Sequence, residues 1–362
     1  MKRYPWISAI VFVSFLWPLL AYPKDPYKVH AERLKQTIES VLFTFSPATQ
    51  KHYAVRLYRT TGDNRYIYPV IFDLLVLLRK LRHDQLGSHD PSYIQQRTDE
   101  VINHEFNLGA TNPETRRAAL VRGGDVAFYL KLAKLLNTLR EYDLLGAKVF
   151  PEAGKMLEAL RQQKGKLATF LLDQKLMKTA GAQLVNYAYY LFRLNVVDIR
   201  QRYLEGLEQV LMRGKADTEL SDPEYIEKIY GMTHVILAAS DYYQERVERK
   251  DFTWIFDHFE KNIEAILART KPDVYAEVGI SFLLANDREN PALRRIRDAI
   301  VADIHPQKGI ILSIKGSSDL NSGEHRNVLA IMLLDWPRMT FRGPSLRRMS
   351  QLQRLLPRQE RQ

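Results

Sequence analysis

The feature that most constrains this chain is the alternation of two kinds of helix along it. The first kind is apolar on one face only. Phe252, Ile255, Phe256, Phe259, Ile263, Ile266 and Leu267 recur at i, i+3, i+4 and i+7, with Asp257, Lys261 and Glu264 between them. That spacing predicts a helix covering a core with one side and meeting water with the other. Residues 34–45, 199–211 and 292–304 repeat it. The second kind is apolar nearly all round, as at residues 235–239, 278–285 and 328–334. A helix without a polar face must be enclosed by other helices. These runs fall short of the roughly 20 residues a bilayer span needs and carry charges at both ends, so they read as core.

Placed in order, enclosed helices are expected to begin near His52, Asp125, Gln183, Thr233, Val274 and Glu324. Amphipathic partners follow near Arg65, Gly154, Asp198, Asp251 and Asn290, with a further one running from Tyr27 to Phe45. Six inner and six outer helices predict an all-α chain folded as an (α/α)6 toroid, one ring inside another. An open superhelix of stacked hairpins is the other arrangement such alternation permits. The repeat reads as architectural, with no copied motif. Two stretches interrupt it: residues 84–124, where Asp90-Pro91 opens a polar helix, and residues 306–323, where a β-like run at 310–314 precedes a turn-rich segment.

The turn Tyr58-Arg59-Thr60-Thr61-Gly62-Asp63-Asn64-Arg65-Tyr66 resembles the helix-Thr-Gly-Asp-x-x-Tyr-helix turn of six-hairpin glycosidases and related polysaccharide-acting enzymes. Gly62 suits the left-handed end of one helix and Asp63 the cap of the next. The resemblance implies a toroid and a carbohydrate-active protein. The chain as a whole looks like an uncharacterised family of exported bacterial proteins, a likeness that implies no activity.

The ends of the chain add an address. Lys2 and Arg3 precede an apolar stretch from Trp6 to Leu20, with small Ala21 before Tyr22-Pro23. Residues 1–21 therefore read as a secretory signal peptide, 22–337 as the helical domain and 338–362 as a basic tail. The expected location is the periplasm or outside the cell, with no transmembrane domain after cleavage; inner-membrane anchoring by an uncleaved signal is the alternative. The net charge is +11, but residues 338–362 hold seven Arg against the single acid Glu360. A basic tail without interleaved aromatics argues against nucleic acid. Leu346, Met349, Leu352 and Leu356 recur near helical spacing, so the tail is expected to dock as a final helix, with a basic amphipathic membrane-surface helix as the alternative. There is no Cys, no phosphate loop and no metal-ligand motif, and hence no expected cofactor or metal.

In a toroid the inner helices run parallel and present their N-termini at one mouth, where free amides and the helix dipole favour anionic or hydroxyl-rich ligands. An acidic poly- or oligosaccharide would suit it. Glu324, His325, Glu277 and His234 are the catalytic candidates; Arg326, Tyr275, Asp125, His52 and Asn327 are the candidates for holding substrate. Glycoside hydrolysis needs two carboxyls, one protonated and one ionised, and Glu277 and Glu324 form the candidate pair. A lyase would need a base such as His234, His325 or Tyr275, with Arg326 neutralising a uronate. The competing function is a non-catalytic envelope binding or assembly protein, in which these groups would be tied up in caps and ion pairs.

Overall fold

The computed structural model describes residues 25–105, 113–146 and 150–349. The signal-peptide reading of residues 1–21 and the end of the basic tail lie outside them. Sixteen α-helices and no strand occur among the described residues. They are α1 (Pro26–Glu39), α2 (Pro47–Thr61), α3 (Tyr68–Gly87), α4 (Pro91–Glu100), α5 (Pro113–Arg122), α6 (Val126–Glu141), α7 (Ala153–Gln162), α8 (Lys164–Leu171), α9 (Gln174–Arg193), α10 (Arg200–Met212), α11 (Asp222–Ala239), α12 (Thr253–Lys261), α13 (Ile263–Arg269), α14 (Pro272–Leu284), α15 (Pro291–Asp303) and α16 (Leu320–Leu334).

The alternation corresponds to two environments. From Val274 to Leu284 every residue of α14 is buried, as the absence of a polar face requires. By contrast α15 buries Ala292, Leu293, Ile296 and Ile300 and leaves Arg294, Arg295 and Asp298 in water. The enclosed helices pack side by side: α2 on α16, α16 on α14, α14 on α11, α11 on α9, and α9 on α6. Each also has a shell partner, α1 on α16, α15 on α14, α13 on α11, α10 on α9, α7 and α8 on α6, and α3 on both α2 and α6. Arg59 of α2 reaches Glu141 of α6 at 2.8 Å, so the first and last members of that row are tied at their C-terminal ends.

Four of the enclosed helices end in the same way. Asp143, Asn195, Asp241 and Asn286 follow α6, α9, α11 and α14 with φ of 58°, 53°, 53° and 60°. The next amides, Leu144, Val196, Tyr242 and Asp287, donate back to the carbonyls of Leu139, Leu191, Leu237 and Phe282. This is the Schellman geometry, with Asx where Gly is the usual residue. The repeat therefore does carry a copied motif, hidden because its letters alternate between Asp and Asn. Gly62 ends α2 at φ 69° and Asp63 accepts from the Arg65 amide, so the 58–66 turn has the caps its letters specify.

Several boundaries differ from expectation. α11 begins eleven residues before Thr233, at Asp222, behind a Ser221–Glu224 capping box. α9 begins at Gln174 and kinks at Ala180. The β-like run amounts to one antiparallel bridge between Ile304 and Ile311. From Trp336 to Met349 the chain forms no α-helix, and the rest of the expected final helix lies outside the described residues. This stretch runs as a strap in which the Phe341 amide donates to Arg59 and the Leu346 amide to Tyr142, with a short 3-10 turn at Leu346–Arg348. Leu346 is fully buried beneath it.

Candidate functional site

The early turns of α2, α14 and α16 bring the predicted acidic and imidazole groups together. Glu324, in the second turn of α16, places Oε2 2.6 Å from Nδ1 of His52 on α2. The His52 ring lies 5.2 Å from that of His325. His325 Nε2 is 3.8 Å from Oε1 of Glu277 on α14, and the other Glu277 oxygen accepts from the Thr233 hydroxyl of α11 at 2.7 Å. A continuous polar line, Glu324–His52–His325–Glu277–Thr233, thus crosses four enclosed helices. His234 stands beside it, with Nδ1 3.3 Å from the Asn186 amide and its ring 4.2 Å from Tyr230.

Burial sets the electrostatics. The carboxyls of Glu277 and Glu324 are 2% and 4% exposed, whereas His325 and His52 keep 32% and 33% of their side-chain surface, so solvent reaches the imidazoles but not the acids. Desolvation pushes Glu277 up to about 8, against the pull of the Thr233 hydrogen bond, with Asp273 adding to the rise. Desolvation likewise lifts Glu324 to about 7, opposed by the Arg56 charge. The same burial lowers His234 to about 4 and holds His52 and His325 well below the usual imidazole value, Arg56 contributing in each case. Separated charge is disfavoured here, so the 2.6 Å Glu324–His52 contact holds one shared proton rather than an ion pair.

The interior also carries unspent hydrogen-bonding capacity. Glu324 Oε1, His325 Nδ1, Asn186 Oδ1, Gln183 Oε1 and Arg56 Nε are buried with no protein partner. Orphaned polar atoms are few in folded proteins and costly when left so. Here five belong to α2, α9 and α16.

Not every candidate joins this cluster. Arg326 turns away, its Nε donating to the Ile311 carbonyl. Asn327 is buried and satisfied by the Ile311 amide and carbonyl, so both anchor the 306–323 segment to α16. The Tyr275 hydroxyl donates to Asp303 at the end of α15. Asp125 pairs with Lys166 of α8. These four hold elements together. Thr233 and His234 sit in the middle of α11, not at its N-terminus, and Gln183 and Asn186 lie beyond the α9 kink, so the site is set deeper than a mouth of helix starts.

Aromatic residues that the sequence did not single out supply the walls. Tyr242 faces His234 edge-on at 6.5 Å and Tyr243 at 6.2 Å. Both have left-handed φ, 53° and 73°, directly after Asp241. Three successive non-glycine residues in that region cost roughly 1–3 kcal/mol each, and the surroundings must impose them. Arg59 donates to the Tyr242 carbonyl, Arg140 grips both oxygens of Asp241, and the Ser240 hydroxyl accepts from the Tyr243 amide. The signal available in sequence was the Asp-Tyr-Tyr run just past an apolar helix.

A cavity of about 970 Å³ opens at the opposite, C-terminal ends of α2, α6 and α11, lined among others by Tyr58, Arg140, Asp241 and Arg342. Its charges are paired, Arg140 with Asp241 and Arg342 with Glu245, so it lacks the unspent groups of the Glu324–Glu277 line. Among the described residues no set of three or more His, Asp and Glu is arranged to hold a metal. Residues 27–361 match the model of a family described as Domain of unknown function (DUF3541). No curated protein and no solved structure matches the chain.

Proposed function

The chain belongs to the DUF3541 family, and we propose that it is an exported carbohydrate-active enzyme that hydrolyses an acidic glycan at the exposed imidazoles of the Glu324–His52–His325–Glu277 line. The observation that carries this reading is the pair of buried carboxyls beside two neighbouring imidazoles, Glu324 at His52 and Glu277 at His325. Near pH 7–8 the two differ: Glu324 has given up its proton and Glu277 has kept it, the division of labour that glycoside hydrolysis requires. The Glu277 proton passes to the glycosidic oxygen by way of His325, the exposed imidazole whose Nε2 lies 3.8 Å from Glu277 Oε1, as that bond breaks. His52, oriented by Glu324, accepts a proton from the water that adds to the sugar carbon. Arg56, close enough to act on all three histidines, supplies the positive charge that suits a uronate, and Tyr230 and Tyr242 offer faces for sugar rings.

We propose further that the enclosed helices close as the inner ring of an (α/α)6 toroid. The neighbour order α2, α16, α14, α11, α9, α6 and the Arg59–Glu141 tie between its ends support that closure.

A panel of acidic and neutral glycans assayed with wild type and Glu277→Gln tests the function. Reducing ends released by wild type, with turnover lowered about 10²–10⁴-fold in the variant, are expected. An unsaturated sugar product would replace hydrolysis by elimination. Glycan binding without turnover would make the protein a binding module.

A further inference from the structure

The outward face of α3 is apolar where a shell helix ordinarily meets water. Tyr68, Phe72, Leu75 and Val76 are 59%, 65%, 62% and 55% exposed, although the opposite face already buries Val70, Leu74, Leu77 and Leu81. Positions 68, 72, 75 and 76 fall at i, i+4, i+7 and i+8, so their side chains form one stripe along about 12 Å of helix. The same face continues with exposed Arg79 and with Arg82, which pairs with Glu152 at 2.8 Å, and no exposed residue from Asn64 to Leu86 is acidic. α15, by comparison, turns Arg294, Arg295 and Asp298 to solvent.

The geometry points to α3 as a peripheral attachment surface for an anionic lipid bilayer. Aromatic and aliphatic side chains enter the headgroup boundary while the guanidiniums beside them meet lipid phosphates, the division of an interfacial helix. Charge selects this occupant. A second copy docked antiparallel on the same stripe would set a second Arg79 against the first with no exposed acid of α3 to answer either. The chain beyond Met349, which lines a cavity together with Tyr68, brings Arg354, Arg358 and Arg361, again the wrong sign to cover α3 but the right one to share its lipid. No helix among the described residues is long and apolar enough to cross a membrane, so contact through α3 is with the surface.

The chain has no cysteine, so Leu75→Cys in the full chain accepts one environment-sensitive fluorophore at a solvent-facing position. Vesicles of phosphatidylglycerol and phosphatidylcholine should shift its emission to the blue, phosphatidylcholine alone should shift it much less, and adding Arg79→Glu should weaken the response about tenfold. Because the label reports α3 itself, attachment by another part of the chain leaves it unmoved. An unchanged spectrum with anionic vesicles overturns the proposal. So does emission already blue without lipid: if it persists on dilution the C-terminal segment covers the stripe, and if it reverts on dilution a second copy does.

Discussion

At the scale of single residues, the site works through desolvation. Glu277 and Glu324 come from adjacent enclosed helices, and nothing around them except the Thr233 hydroxyl, His52 and the field of Arg56 offsets the burial of a charge. Turnover should therefore follow a bell in pH, rising through about 7 as Glu324 ionises and falling through about 8 as Glu277 loses its proton. In Glu324→Gln the acid limb should disappear along with most of the rate, which a pH–kcat/KM profile measures. Stability carries the same signature. Glu277 binds its proton more tightly folded than unfolded, so its contribution is complete below the unfolded value of 4.5 and is lost as pH rises to about 8. The Tm of wild type relative to Glu277→Gln should fall across that window, and a constant difference would show the carboxyl to be ionised throughout. The sequence proposed Glu277, Glu324, His325 and His52 for one polar mouth, and the structure brings these four along one line, as polar letters inside apolar helices must find partners. Arg326, Asn327, Tyr275 and Asp125 carry equally polar letters, yet each bonds a neighbouring segment; which way a helical side chain points depends on what lies beside the helix.

At the scale of elements, two devices fix the enclosed helices. Schellman ends with Asx at the left-handed position close α6, α9, α11 and α14. The Asn286 side chain makes no hydrogen bond that would oppose its loss, so Asn286→Gly should keep or raise stability by up to about 1 kcal/mol and Asn286→Ala should lower it by about 1–2 kcal/mol, read by urea denaturation. Close approach of α14 to α16 depends on Gly279, where an added Cβ would sit 2.6 Å from Leu333 and 3.2 Å from Ile296. Gly279→Ala should cost about 1–3 kcal/mol and, by separating the helices that carry Glu277 and Glu324, lower kcat as well. Gly165→Ala on α8, with open space around it, is the control and should leave both unchanged or gain slightly in stability. Helix positions were legible from the 3.6-residue period, but starts hidden in polar sequence, such as Asp222 of α11, were not. There the capping box, not hydrophobicity, sets the boundary.

At the scale of the whole molecule, the tie between the two ends of the row of enclosed helices, on which the proposed closure depends, runs through Arg59. Its guanidinium joins the Glu141 carboxylate of α6 to the Tyr242 and Gly343 carbonyls, so one buried charge links α2, α6, the turn after α11 and the C-terminal strap. Arg59→Ala strands Glu141 and both carbonyls and should cost about 3–5 kcal/mol, with Arg59→Lys recovering only part, since one ammonium cannot reproduce the forked contacts. Calorimetry of the three proteins measures it, and equal Tm values would remove Arg59 from the closure. By itself the sequence determined that the described residues fold as helices and not strands, and which of the apolar helices are enclosed, because the period and one-sidedness of apolar residues are local properties that hydrophobic burial must obey. Only the tertiary structure decided that Glu324 meets His52 across 272 residues, that Arg326 faces away, that three strained residues carry Tyr242 to His234, and that residues 337–349 run as a strap. Those outcomes depend on the angle and register at which helices pack, which many distant contacts set together and no local run of letters encodes.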